Sequence, residues 1–137
     1  RMELDLDPSL PLVTCLPGAI NQVFLNLIIN AADAISELNG SREGLIRIST
    51  RHQGDWVEIR VEDNGPGVPP DIKDRIFDPF FTTKEVGKGS GQGLMICRDV
   101  IVSKHNGKFY LDGEYGKGAS FVVKLPIALG ENNDQQA

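Results

Sequence analysis

The chain of 137 residues is short of cysteine (two), of tryptophan (one) and of positive charge, with 14 Lys and Arg against 19 Asp and Glu for a formal net charge of −5. The shortages of cysteine and of positive charge each close off a class of protein. Without a basic stripe, the charge argues against nucleic acid as the main partner. Cys15 and Cys97 are isolated and fit no CxxC spacing. They read as buried or half-buried thiols rather than a redox or metal pair, which suits a reducing compartment. The two histidines, His52 and His105, also lack metal-ligand spacing. His52 falls in an expected strand and His105 at an expected helix end, where a cation suits the helix dipole; neither is assigned a catalytic role. No apolar stretch is expected to reach the roughly 20 residues of a membrane span, and no signal peptide is evident. Arg1-Met2 leads straight into the alternating "ELDLD", as in a domain cut from a longer protein.

What is present is apolar content and glycine. Hydrophobic residues make up 40% of the chain, enough for one domain with a real core. The glycines cluster in "GKGSGQG" (87–93), immediately before the amphipathic "LMICRDVIVSKH". Ordering glycine costs more entropy than ordering any other residue, so such a loop implies a backbone that moves or that approaches a ligand closely, often phosphate at a helix N-terminus. Neither familiar phosphate pattern fits. Gly87-Lys88 is followed by Gly89, not Ser or Thr, and GxGxxG needs a glycine where Gln92 or Leu94 stands.

Along the chain, alternation predicts strands at 2–7, 44–53, 56–63, 108–113 and 119–126, with a hairpin at Gly54-Asp55. The three prolines of 8–17 mark a connector that has room for a short strand at 12–15. Helices are expected at 18–38, stopped by Asn39-Gly40, at 70–77, and at 94–105, stopped by Asn106-Gly107. Residues 64–70 and 78–93 read as loops, 114–118 as a turn, and 130–137 as a frayed polar tail. The expectation is an α+β domain over 1–129: a two-layer sandwich with a mixed, mostly antiparallel sheet of about five strands and helices on one face.

Three stretches could carry chemistry. At 100° per residue, Gln22, Asn26, Asn30, Asp33 and Glu37 fall within an arc of about 80° on an otherwise apolar helix. A solvated face would favour Lys, Glu and Arg; asparagine is a poor helix former, but its carbonyl oxygen is a hard ligand for Mg²⁺ beside phosphates. In "VEDNGPGVP" (61–69) a strand ends at Asp63 and turns through Gly65 and Gly67. That is either an ordinary turn or a carboxylate at the base of a pocket, able to accept from the amine of adenine and to repel the carbonyl of guanine. In "FDPFFTTK" (77–84), Phe77, Phe80 and Phe81 pin a loop or anchor a hinged lid, with Lys84 and Lys88 able to meet phosphates.

In this order the stretches resemble the ATP-binding catalytic domain of sensor histidine kinases, within the GHKL superfamily. "NLIINAADA" is similar to the N box, "DNGPGVP" to the G1 box, "FDPFFTTK" to the F box and "GSGQGL" to the G2 box, with "GKGASFVVKLP" (116–126) as the terminal strand. The resemblance covers roughly residues 3–127 and implies a Bergerat-type sandwich; "FFTTK" is similar to kinases of the nitrogen-regulation type. It implies ATP and Mg²⁺ as cofactors. By the family pattern Asn30 would be the Mg²⁺ ligand, Asn26 would help hold metal and phosphates, and Asp63 would bind the adenine amine. Gly65 and Gly67 would line the base, and Gly89, Gly91 and Gly93 the phosphates, with Leu94 following them. Lys84 would contact phosphate, Asn26 and Lys84 would serve catalysis, and Ser120 would support adenine through water. Gln92 departs from the family, which more often has Leu there.

No His-Glu-Leu-Arg-like segment is present, so the resemblance implies phosphoryl transfer to a histidine on an adjoining dimerisation domain. A response regulator would act downstream. The whole protein would be a homodimer, membrane-anchored or soluble, and this cytoplasmic segment a monomer. GHKL hydrolases use a glutamate base where Asn26 stands, and an amide cannot take a proton from water. The same boxes would also suit a non-catalytic ATP-binding module. A serine kinase of the anti-sigma type shares the fold, but such kinases tend to carry the acidic residue that Asn26 replaces.

Overall fold

A computed structural model describes residues 1–11, 13, 15–36, 38, 40, 43–68, 93–113 and 118–127. Five strands, β1 (Met2–Asp5), β2 (Ile46–Gln53), β3 (Trp56–Asp63), β4 (Lys108–Asp112) and β5 (Ala119–Pro126), form one sheet in the order β1-β2-β3-β5-β4. β1 runs parallel to β2, and every other pairing is antiparallel. The expected strands are present; β3 and β5 have the expected bounds, while β1, β2 and β4 are shorter. Val13 and Cys15 are not in a strand, and the expected helix at 70–77 lies outside the described residues.

Alternation makes the two faces of the sheet chemically different. Val57, Ile59 and Val61 of β3 and Phe121, Val123 and Leu125 of β5 are buried on one face. Over that face lies α1 (Pro17–Ser36), which buries Ile20, Val23, Leu27 and Ala31. These residues recur at the three- and four-residue spacing of one helical face. A second helix, α2 (Gly93–Arg98), packs beside α1 and buries Cys97. Val23, Leu27, Val61, Ile101 and Val123 form the sealed centre of the core.

Two expectations need correction. α1 has 20 residues and is apolar enough, by length and composition, to cross a membrane, so a stretch of that length does exist. Here its apolar face is spent on the sheet. The second concerns the end of α2, which widens into a π-helical turn, Asp99–Ser103, with Lys104 N–H donating to the Asp99 carbonyl at 3.2 Å. The turn sends both Val100 and Ile101 inward. His105 is then no dipole-facing cation. It is 5% exposed; its Nδ1 lies 2.8 Å from the Val100 carbonyl, and its Nε2 accepts from Leu16 N–H at 3.0 Å. That pattern requires a neutral imidazole with its proton on Nδ1, and it ties the entry of α1 to the π turn.

Candidate nucleotide site

α1 supplies the backbone of the site. Its polar stripe lies at the rim of the core: Asn26, Asn30 and Asp33 are all half-buried. At the level of Asn26 the stripe meets α2, where Asn26 Nδ2 approaches Cys97 Sγ at 4.0 Å. Two turns further on it meets the end of β3. A Cβ on Gly65 would lie 2.9 Å from the Ala34 carbonyl oxygen and 3.0 Å from Asp63 Oδ1, so only glycine lets this loop sit against α1. From Asn26 to Ala34 the helix rises roughly 12 Å along its axis, with Asn30 in the middle.

Asp63 is the last residue of β3, and its Oδ1 accepts from Gly65 N–H at 2.8 Å. Next to it, Asn64 accepts from Leu45 N–H at 2.8 Å and donates to the Glu43 carbonyl at 2.8 Å, fixing the loop to the start of β2. Gly118 closes the other side. Its φ is +100°, and a Cβ there would strike the Asp63 carbonyl, which explains a glycine just before β5. Gly67, φ +83°, continues the turn after Asp63. Gly93 opens α2, and Leu94 packs against the core from the same end.

The structure thus brings Asn26, Asn30, Asp63, Gly65, Gly93 and Leu94 to the helix-covered side of the sheet. Ser120 does not join them. It pairs with Glu62, while Ala119 pairs with Asp63; paired residues share a face, so Ser120 points to the opposite side. There its Oγ accepts from Arg60 Nη1 at 3.3 Å. The expected support of adenine by Ser120 does not fit this position, and the residue opposite Asp63 is an alanine without a hydroxyl. The signal was in the sequence: Phe121, Val123 and Leu125 set the inward parity, which puts Ala119 in and Ser120 out. Lys84, Gly89 and Gly91 lie outside the described residues, as do Phe77, Phe80, Phe81 and Gln92. The residue that sequence reasoning missed as part of this site is Cys97, read only as a buried thiol.

The donor set suits a nucleotide with a hard cation. Among the described residues no group of three or more His, Cys, Asp or Glu could hold a metal alone. Neutral amide oxygens on α1 and the carboxylate of Asp63 are what remain, and Mg²⁺ is commonly held by few protein ligands together with phosphates and water.

The family model described as "Histidine kinase-, DNA gyrase B-, and HSP90-like ATPase" matches residues 16–129. The chain belongs to this family. It is an ATPase catalytic domain of the sensor histidine kinase kind, as its relatives show. It is 40% identical to sensor kinase CckA of Brucella abortus, over 88% of this chain and 14% of that protein. It is 37% identical to the sensory histidine kinase/phosphatase NtrB of Rhizobium meliloti, over 95% of this chain and 36% of that protein. The chain therefore spans a small part of these relatives. The nucleotide-free catalytic domain of histidine kinase ThkA superposes with a TM-score of 0.78 at 33% identity, covering 92% of this chain and 78% of that one. The two-layer fold expected from sequence agrees with that likeness.

Proposed function

We propose that this domain binds Mg-ATP along the α1 stripe and presents its γ-phosphoryl group to a histidine on a dimerisation domain of the same parent protein. The observation that carries the reading is the approach of two elements to α1 along its half-buried amides: the end of β3, with Asp63 and with Gly65 against the Ala34 carbonyl, and the C-terminal half of α2, where Cys97 meets Asn26. Bound Mg-ATP would supply the transferable phosphoryl group and the charge that neutralises it. The chain's part is positioning, which is most of what phosphoryl transfer asks of a protein. Asp63, an acceptor with room for more than one donor, takes the adenine amine. Gly65 and Gly67 let the base lie against backbone. Asn30 is the metal ligand, with Asn26 one turn before it. Gly89, Gly91 and Gly93 meet the phosphates by their N–H groups, and Lys84 meets them by its charge. Asn26 offers no base for water, so hydrolysis is slow.

The partners follow from the same reading: a histidine-bearing domain, in a homodimeric cytoplasmic assembly, and a response regulator. ThkA, whose complex with response regulator TrrA superposes with a TM-score of 0.73 at 30% identity over 92% of this chain, is one relative with such a partner.

Two experiments test the reading. Asp63→Asn removes a charge-assisted hydrogen bond and is expected to weaken ATP binding roughly 10- to 150-fold with little change for GTP; equal ATP affinity in both proteins would sink the adenine assignment. With γ-labelled ATP the domain should bind nucleotide yet not label itself, and the label should pass to an added histidine-bearing domain of its parent. Rapid release of free phosphate by the domain alone would favour a hydrolase instead.

A further inference from the structure

Asn26 lies inside a chain of hydrogen bonds that decides which end of its amide faces the site. Gln22 Nε2 donates to Asn26 Oδ1 at 3.1 Å, Asn26 Nδ2 donates to Cys97 Sγ at 4.0 Å, and the Cys97 thiol donates to the Val23 carbonyl at 3.7 Å. Cys97 is fully buried against α1. Its sulfur draws the amide nitrogen inward, toward α2, and so turns the oxygen outward along the polar stripe. Gln22 uses one lone pair of that oxygen, and a carbonyl oxygen has two. The distinction matters because the two ends of an amide recognise opposite charges. The oxygen suits a cation and the NH₂ suits a phosphate.

We propose that Cys97 is a positioning residue for metal–nucleotide binding, holding Asn26 so that it offers its oxygen to the cation rather than its nitrogen to the phosphates. The inference rests on the function proposed above and deepens it, from a general role for Asn26 to one on the metal side. The thiol is suited to this task. Its sulfur is fully buried and accepts from Asn26 Nδ2. Its S–H is committed to the Val23 carbonyl, which leaves its lone pairs for Asn26.

The test compares Cys97→Val, which fills the volume but accepts no hydrogen bond, with Cys97→Ser, which keeps a donor and an acceptor. ATP binding is titrated with Mg²⁺ and again in EDTA, in both the wild-type and the Asn26→Ala backgrounds. Cys97→Val is expected to lose about three- to tenfold in Mg-ATP affinity and less than twofold in EDTA, the size of one weak hydrogen bond. Cys97→Ser should stay near wild type. In the Asn26→Ala background Cys97→Val should cost no further affinity, since the residue it acts through is gone. Equal losses with and without Mg²⁺, or the same loss when Asn26 is absent, would show a merely structural thiol and overturn the assignment. A second measurement holds even if Cys97→Val weakens the fold. In the nucleotide-free protein the side-chain NH₂ resonances of Asn26 should shift in Cys97→Val and Cys97→Ala but keep near-native positions in Cys97→Ser. Unmoved resonances in both apolar variants would also overturn it. Wild-type protein that fails to bind Mg-ATP overturns the proposed function and this inference with it, whereas intact wild-type binding with an unaltered Mg²⁺ dependence in Cys97→Val overturns the inference alone.

Discussion

The two faces of the sheet lie one residue apart along every strand, yet they are held by different physics. The covered face is apolar, with Val61 and Val123 sealed beneath Val23 and Leu27 of α1. The open face is a lattice of paired charges. Asp5 meets Arg51 at 2.8 Å and Arg47 at 3.4 Å, while Arg60 meets Glu58 at 2.9 Å and Asp112 at 3.2 Å. Lys124 reaches Glu58 at 3.9 Å. This lattice buries Glu58 to 7% and Val122 completely, with the arginine and lysine stems covering what the helices do not. The comparison supports placing the proposed nucleotide site on the helix-covered face. Asn26, Asn30 and Asp63 lie at the rim of the apolar layer, whereas on the open face each acid of the lattice is paired with a cation.

The largest expected effect breaks the covered face. Leu27→Ala removes a fully buried side chain between α1 and the sheet and should cost about 2–5 kcal/mol, read from urea unfolding. The loss should not change with salt, because the cause is packing. Next is the open face. Arg60→Ala removes the 2.9 Å partner of the buried Glu58 and leaves Lys124 at 3.9 Å as its remaining ion pair among the described residues, and should cost about 1–3 kcal/mol. Added salt should narrow that gap, as the remaining charges are partly screened. A salt-independent loss would mean that Arg60 matters through its stem instead. The smallest effect sharpens the boundary itself. Ser120→Ala removes one bond to Arg60 on the open face and should change stability by no more than about 0.5 kcal/mol while leaving ATP affinity unchanged. A clear loss of ATP affinity in that variant would return Ser120 to the site, against its sheet parity.

Local pattern made much of this legible. The alternation of "WVEIRVED" and "ASFVVKLP" predicts strands with one apolar face, and the stripe on α1 reads from helical spacing alone. The placement of Ser120 failed although its signal was available, because the hydroxyl was weighed by its chemistry rather than by its parity in the strand. The role given to His105 failed for a different reason. The group that donates to its Nε2, Leu16 N–H, is 89 residues away, and nothing near position 105 in sequence announces it.

By itself the sequence determined the element types, the apolar and charged faces, and the order of residue types that marks the family. These follow from periodicity and turn chemistry, which act over a few residues. Tertiary structure alone decided that β5 inserts between β3 and β4, that β1 joins parallel to β2, that Gly65 rests on the Ala34 carbonyl, and that Cys97 meets Asn26 across 71 positions. Each of these depends on which distant surfaces exclude water together. Burial of apolar area is non-directional and carries no label of sequence separation, so the contacts that orient the site appear only once the whole core has packed.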